Sequence, residues 1–161
     1  MQLWVARISG VWYNHVVKNV KTLGKRGKTA TIKFGNHLIF DGYNCDYRRL
    51  DNETYIIKVL NDLVRIAKMK KISDPVIVKA DGNETLGGKD PGGYSAFVLI
   101  QESHISIHTF TRRKFLTVDV YTCKEFEAQP VIEYLRDAFK VKDSDILKID
   151  RGLKYPAKNL I

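Results

Sequence analysis

Apolar and polar positions recur along this chain with two different periods, and the switches between them mark out a succession of elements. Residues 37–43 (HLIFDGY) read as a strand. Asp51 or Asn52 can cap a helix running to about residue 70, because Ile56, Leu60, Leu63, Val64 and Ala67 fall at spacings of three and four and define one apolar face. Residues 75–80 (PVIVKA) are short, β-branched and bounded by Asp-Pro and Asp-Gly pairs, as a strand should be. Gly82, Gly87, Gly88, Pro91, Gly92 and Gly93 make residues 81–93 a loop. Strand-like runs follow at 94–101, 104–110 and 114–122. Pro130 suits the first turn of a second helix, where its missing N–H leaves no helical bond unmade, and Val131, Leu135, Ala138 and Phe139 give that helix its face. A last strand is expected over 146–149.

This order predicts an α+β domain: a two-layer sandwich with a mainly antiparallel sheet and helices on one face. The other face of the sheet is then bare, and a homodimer burying sheet against sheet is the natural cover. Ahead of the domain, residues 1–17 alternate loosely, hold Trp4 and Trp12, and suit a strand or hairpin. Residues 18–33 set Gly24 and Gly27 among lysines without apolar periodicity, which predicts a flexible basic connector. The chain therefore divides into a basic extension, 1–34, and a domain, 35–161.

Composition narrows the class. A chain of 161 residues with 44% apolar content fits one domain with a packed core. No stretch approaches the roughly 20 uninterrupted apolar residues of a membrane span. The net charge of +9 suggests nucleic-acid binding until its distribution is examined. Arg7, Lys18, Lys21, Lys25, Arg26, Lys28 and Lys33 precede Gly35 with no acid among them, whereas the rest of the chain is close to neutral. The nucleic-acid question therefore narrows to the basic segment 1–34, and the set Ser103, His108 and Cys123 argues against a non-catalytic nucleic-acid binder. Cys45 and Cys123 are too few for a disulfide framework and are expected as free thiols in a reducing compartment. With no evident leader at the N-terminus, the cytoplasm is the expected location.

Several local patterns fail as motifs when taken alone. The segment GNETLGGKDPGGYS is followed by a strand rather than a helix and lacks Gly-Lys-Ser/Thr, so it reads as a surface loop, or an active-site lid, and not as a nucleotide loop. His104 and His108 have the spacing of helical zinc ligands, but ESHISIHTF is strand-like, and four strand residues span about 13 Å. No metal is expected. Ser103 has no nucleophile elbow, and Cys123 by itself reads as a small buried hydrophobe.

Read together, these residues say more. The run from Ser95 through Glu102, Ser103, His108 and Phe110, followed by VDVYTC ending at Cys123, resembles the signature of the short, prokaryotic-type S-adenosylmethionine decarboxylases. The resemblance includes GNHLIFDGYNCD and spans roughly residues 35–152. It implies a pyruvoyl enzyme that needs neither metal nor pyridoxal phosphate. The proenzyme would cut itself at Glu102-Ser103 into a β chain, 1–102, and an α chain, 103–161, whose pyruvoyl group arises from Ser103. His108 would accept the α-proton of Ser103 during processing, and Ser95 would assist near the scissile carbonyl. In turnover, a Schiff base with the substrate amine would form at position 103, and Cys123 would reprotonate the carbanion. The product would feed spermidine biosynthesis. The resemblance also implies a homodimer of cleaved units in a four-layer αββα arrangement, acting on a small-molecule substrate.

The substrate-binding segment departs from the family. Where members commonly have Trp, Phe110 keeps an aromatic face; where they have the Glu that binds ribose hydroxyls, this chain has Arg112. No Phe stands in 81–93 to help sandwich an adenine. Arginine or ornithine decarboxylation by the same apparatus is the alternative, with Glu84, Asp90 and Asp119 as candidate acids for a cationic substrate.

Overall fold

The computed structural model describes residues 30–161 apart from 84, 86 and 87. The hairpin expected over 1–17 and most of the basic connector lie outside the described residues. The elements in chain order are β1 (Thr31–Ile32), β2 (Gly35–Tyr43), α1 (Tyr47–Leu50), α2 (Glu53–Ile66), β3 (Val76–Asp81), β4 (Gly92–Ile100), β5 (Ser103–Phe110), β6 (Phe115–Thr122), α3 (Ala128–Phe139), β7 (Asp143–Arg151) and β8 (Tyr155–Pro156). Six strands form one antiparallel sheet in the order β3-β4-β5-β6-β2-β7. The three helices pack on one face of it.

Two of the three helices begin at a side-chain cap. Asn52 accepts the Tyr55 N–H at 2.9 Å and starts α2, and Asp46 accepts the Arg48 N–H at 2.8 Å to start the short α1, which periodicity alone did not reveal. The expected apolar faces are buried: Ile56, Leu60, Leu63, Val64 and Ala67 on the first helix, and Val131, Leu135, Ala138 and Phe139 on the second. They meet Leu38, Phe40, Ala96, Val98, Ile105, Ile107, Leu116, Val118 and Val120 from the sheet in one core.

Three boundaries differ from expectation. The first long helix stops at Ile66 rather than near residue 70, because Lys68 takes a left-handed φ of 55° and the Met69 N–H closes back on the Val64 carbonyl at 2.9 Å. The chain then returns alongside β4, where the Gln101 N–H reaches the Lys70 carbonyl at 2.8 Å and the Ile72 N–H reaches Leu99 at 3.1 Å. Second, Gly92 and Gly93 belong to β4 rather than to the preceding loop. At Gly93 a Cβ would lie 1.9 Å from the Thr109 carbonyl oxygen, so only glycine permits that approach of β4 to β5. Third, the last long strand, β7, spans nine residues rather than four, pairing along the whole of β2.

Residues just before Gly35 are also engaged. β1 pairs with β8, and the Phe34 ring packs on Tyr155 at 4.6 Å. Among the described residues no helix is long and apolar enough to cross a membrane.

The strand alternation leaves the second sheet face open. Ser95, Phe97 and Leu99 of β4, His104, Ser106, His108 and Phe110 of β5, and Phe115, Thr117, Asp119 and Tyr121 of β6 are the outward members of strands whose inward members are buried. Val76, Val78, Phe97 and Leu99 expose apolar surface at one edge of this face, and Leu147 and Ile149 at the other.

Candidate active site

The Glu102–Ser103 peptide bond sits at the tip of a tight hairpin. Ile100 pairs with Ser103, so Gln101 and Glu102 alone turn β4 into β5. The tip is held from two sides. The Glu102 carbonyl oxygen accepts the backbone N–H of Cys123 at 3.0 Å, and the Glu102 carboxylate accepts the Lys70 N–H at 3.3 Å. Ser103 itself has a φ of 153°, in a region that residues with a side chain seldom occupy. Its Oγ lies 3.2 Å from Nδ1 of His104. Cys123 follows the end of β6 directly and is exposed, unlike the buried thiol expected of an ordinary structural cysteine.

The tip thus carries a hydroxyl, a nitrogen base beside it, and a neighbouring carbonyl whose oxygen already faces an N–H donor. Those are the parts of an acyl-transfer site: nucleophile, proton acceptor and oxyanion donor. The Glu102–Ser103 peptide bond thus joins a residue held by two backbone N–H groups to one in an unusual backbone conformation.

A second group lies at the far end of the same strands. Ser95 and His108 are directly opposite on β4 and β5, with Oγ and Nδ1 3.0 Å apart. From Ser103 to His108 the strand runs five residues, roughly 16 Å. One chain therefore brings Ser103 to Cys123 and Ser95 to His108, and keeps the two pairs apart. Phe110 continues the second group, stacking on Phe115 at 5.3 Å, which stacks on Tyr43 at 5.1 Å. Beyond it Arg112 lines a cavity of about 330 Å³ with Lys79, Asp81 and Gly93.

Of the acids considered for a cationic substrate, Asp119 pairs with His37 at 2.8 Å and Asp90 receives the Gly92 N–H at 2.8 Å within the glycine-rich loop; Glu84 lies outside the described residues. On the open face, burial and then the neighbouring Asp145 and Asp119 raise the Asp41 carboxyl above its ordinary value. Among the described residues no group of three or more His, Cys, Asp or Glu is placed to hold a metal ion.

Sequence reasoning missed three participants at the tip: the backbone N–H groups of Lys70 and Cys123, and the imidazole of His104. Backbone donors leave no trace in residue type. Spacing pairs His104 with His108, whereas its actual neighbour is the preceding serine. Consecutive side chains on a regular strand point to opposite faces, and the contact occurs where Ser103 departs from regular strand geometry.

Residues 36–152 match the family model described as S-adenosylmethionine decarboxylase. A Clostridium botulinum (strain Langeland) protein named S-adenosylmethionine decarboxylase proenzyme is 32% identical over 119 residues, covering 73% of this chain and 94% of the relative. A protein of the same name from Pyrobaculum arsenaticum is 30% identical over 128 residues, covering 79% and 95%. The crystal structure of the adenosylmethionine decarboxylase from Aquifex aeolicus superposes with a TM-score of 0.64 at 30% identity, covering 79% of this chain and 98% of that one.

Proposed function

The chain belongs to the S-adenosylmethionine decarboxylase family, and from that membership we propose a proenzyme that cuts itself between Glu102 and Ser103 and then decarboxylates S-adenosylmethionine, supplying the propylamine donor for spermidine synthesis. The observation that carries this reading is the hairpin tip, where the Ser103 hydroxyl adjoins a carbonyl whose oxygen is held by the Cys123 N–H.

In the first step Ser103 Oγ bonds to the Glu102 carbonyl carbon and the oxyanion remains on the Cys123 N–H. Collapse breaks the Glu102–Ser103 C–N bond and leaves an ester. Loss of the Ser103 α-proton with cleavage of its Cβ–O bond frees a chain ending at the Glu102 carboxylate. Water then replaces the nitrogen at position 103, releasing ammonia and leaving a pyruvoyl end. The donor set at the tip fits this group's formation, since every atom consumed belongs to Glu102, Ser103 or water. The pyruvoyl ketone supplies the electron sink that protein side chains lack for an amino-acid decarboxylation. Cys123, exposed beside position 103, is the residue of this chain best placed to return a proton to the substrate carbon.

The separation of the two groups supports a dimer. Two sheets packed through their open faces, about a two-fold axis running across the strands, exchange strand ends. That symmetry carries Ser95 and His108 of one copy toward Ser103 and Cys123 of the other, and sets the exposed Val76, Val78, Phe97 and Leu99 against their own counterparts. His108 then takes the Ser103 α-proton across the interface, its imidazole oriented by Ser95 of its own chain.

Intact-mass measurement of the purified protein tests the processing: chains 1–102 and 103–161 are expected, the latter blocked at its first residue. Release of labelled carbon dioxide from carboxyl-labelled S-adenosylmethionine tests the activity. A full-length chain that persists on incubation overturns the first, and release from arginine or ornithine alone overturns the second.

A further inference from the structure

We propose that His104 is the base that takes the Ser103 hydroxyl proton when self-cleavage begins. The inference rests on the cleavage reading above and adds a catalytic residue to it.

Nucleophilic attack by a serine hydroxyl requires a base within hydrogen-bond reach, because the neutral alcohol is a poor nucleophile. His108 of the same chain is roughly 16 Å away along the strand, and the partner's His108 is the group that takes the α-proton in the later elimination. His104 is already there, with Nδ1 at 3.2 Å from Ser103 Oγ. The contact is built rather than incidental. It needs the departure from regular strand geometry that Ser103 shows at φ 153°. The imidazole is also held in place on its other side: its ring meets Tyr121 edge-on at 5.8 Å, and Tyr121 is backed by His37 at 5.7 Å and by the Arg151 guanidinium at 4.1 Å from the ring centroid. The row His37, Tyr121, His104 crosses three adjacent strands in register. It fixes the ring without occupying Nδ1.

The step balances within the chain. The Ser103 O–H donates to Nδ1 of a neutral His104 and its proton moves there as Oγ bonds to the Glu102 carbon. The carbonyl electron pair moves onto the oxygen that faces the Cys123 N–H. When the intermediate collapses, the C–N bond breaks and His104 returns the proton to the departing Ser103 nitrogen. His104 ends neutral, and the product is the ester from which the later α-proton loss proceeds. Two histidines thus divide the processing: His104 forms the ester, and His108 is needed only for the elimination that follows.

Cell-free synthesis of the full chain, followed as loss of the 161-residue species, separates these roles. Wild type is expected to cleave, and its failure to do so sinks the cleavage reading itself rather than this inference. His104→Ala should slow cleavage by ~100-fold or more, the usual contribution of a general base. The stalled chain should resist hydroxylamine, which cuts esters and spares amides, and added imidazole should restore cleavage. His108→Ala should stall instead as a chain that hydroxylamine cuts after Glu102. His104→Asn, which keeps a polar atom near Ser103 without a base of this strength, should be as slow as His104→Ala. The proposal is overturned if either His104 variant cleaves at the wild-type rate, if the stalled chain is hydroxylamine-sensitive, or if imidazole gives no rescue to a variant whose melting matches that of a Ser103→Ala precursor.

Discussion

The backbone N–H of Cys123 points at the carbonyl oxygen of Glu102, 3.0 Å away, and the same residue is exposed at the end of β6. On the proposed reaction, one residue would act twice, through its backbone in self-cleavage and through its side chain in turnover. Cys123→Ala keeps the N–H and should cleave at close to the wild-type rate while losing roughly 10²-fold or more in decarboxylation. Cys123→Pro removes the N–H and should slow cleavage by roughly 10². Gel separation of the chains reads the first effect and carbon dioxide release the second; equal loss of cleavage in both variants would contradict the division.

The 3.0 Å contact between Ser95 and His108, so far from Ser103 in the same chain, makes complementation the direct test of a shared site. Ser103→Ala and His108→Ala should each fail to complete processing when expressed alone. Expressed together, mixed dimers rebuild one site of two, and about a quarter of wild-type sites should mature if pairing is random. The chain that matures should carry the His108→Ala substitution. Absence of any product would place His108 in the site of its own chain.

The two cysteines should differ in reactivity. Burial pushes the Cys45 thiol up to about 12, and Cys45 lies in the core, whereas Cys123 is exposed. Because the thiolate is the reactive form, iodoacetamide at neutral pH should label Cys123 in the native protein and reach Cys45 only after denaturation. Peptide mapping reads the outcome, and native labelling of Cys45 would contradict it.

The two long helices, the succession of strands in the second half and the free face of the sheet were legible because each rests on a periodic pattern with a buried side. Element ends were less so. Both long helices stop at a lysine in the left-handed conformation, Lys68 at φ 55° and Lys140 at φ 52°, where sequence reasoning looks for glycine. The glycines that do matter, Gly92 and Gly93, were assigned to a loop because their role is to let two strands approach, which is a tertiary fact. The catalytic candidates Ser95, Ser103, His108 and Cys123 were identifiable only through the resemblance to the family, which rests on their residue types and spacing. Their division into two pairs was not, since a strand's length in space only becomes evident once the hairpin register is known.

Gly93 offers a stability test near the second pair. A methyl group there would overlap the Thr109 carbonyl, and the Thr109 hydroxyl is already engaged by the Tyr94 N–H at 3.0 Å in a buried position. The strands must move apart to admit it, so Gly93→Ala should destabilise by roughly 2 kcal/mol or more. Urea unfolding of the Ser103→Ala precursor, with and without this change, reads the difference. An unchanged midpoint would mean that β4 and β5 are not as close as described.

Asp62 gives the pH dependence of the helical layer. On α2 it receives Lys58, then the Tyr134 hydroxyl from α3, then Arg65, and these partners lower its carboxyl from 3.8 to about 2. A carboxyl depressed in the folded state contributes stability that is fully present above its unfolded value and is lost as pH falls through the folded value. The contribution should therefore hold at pH 5–8, decline below about pH 4 and be gone near pH 2. With side chains this near the surface it amounts to about 1 kcal/mol, or about 3 °C in Tm for a chain of this size. In a Ser103→Ala background, which keeps the chain whole, Asp62→Asn should melt lower at neutral pH by that amount. The two melting curves should then converge as acid protonates the carboxylate that the variant lacks. An offset that stays constant from pH 7 to pH 2 would assign the effect to packing between the helices instead of to the charge.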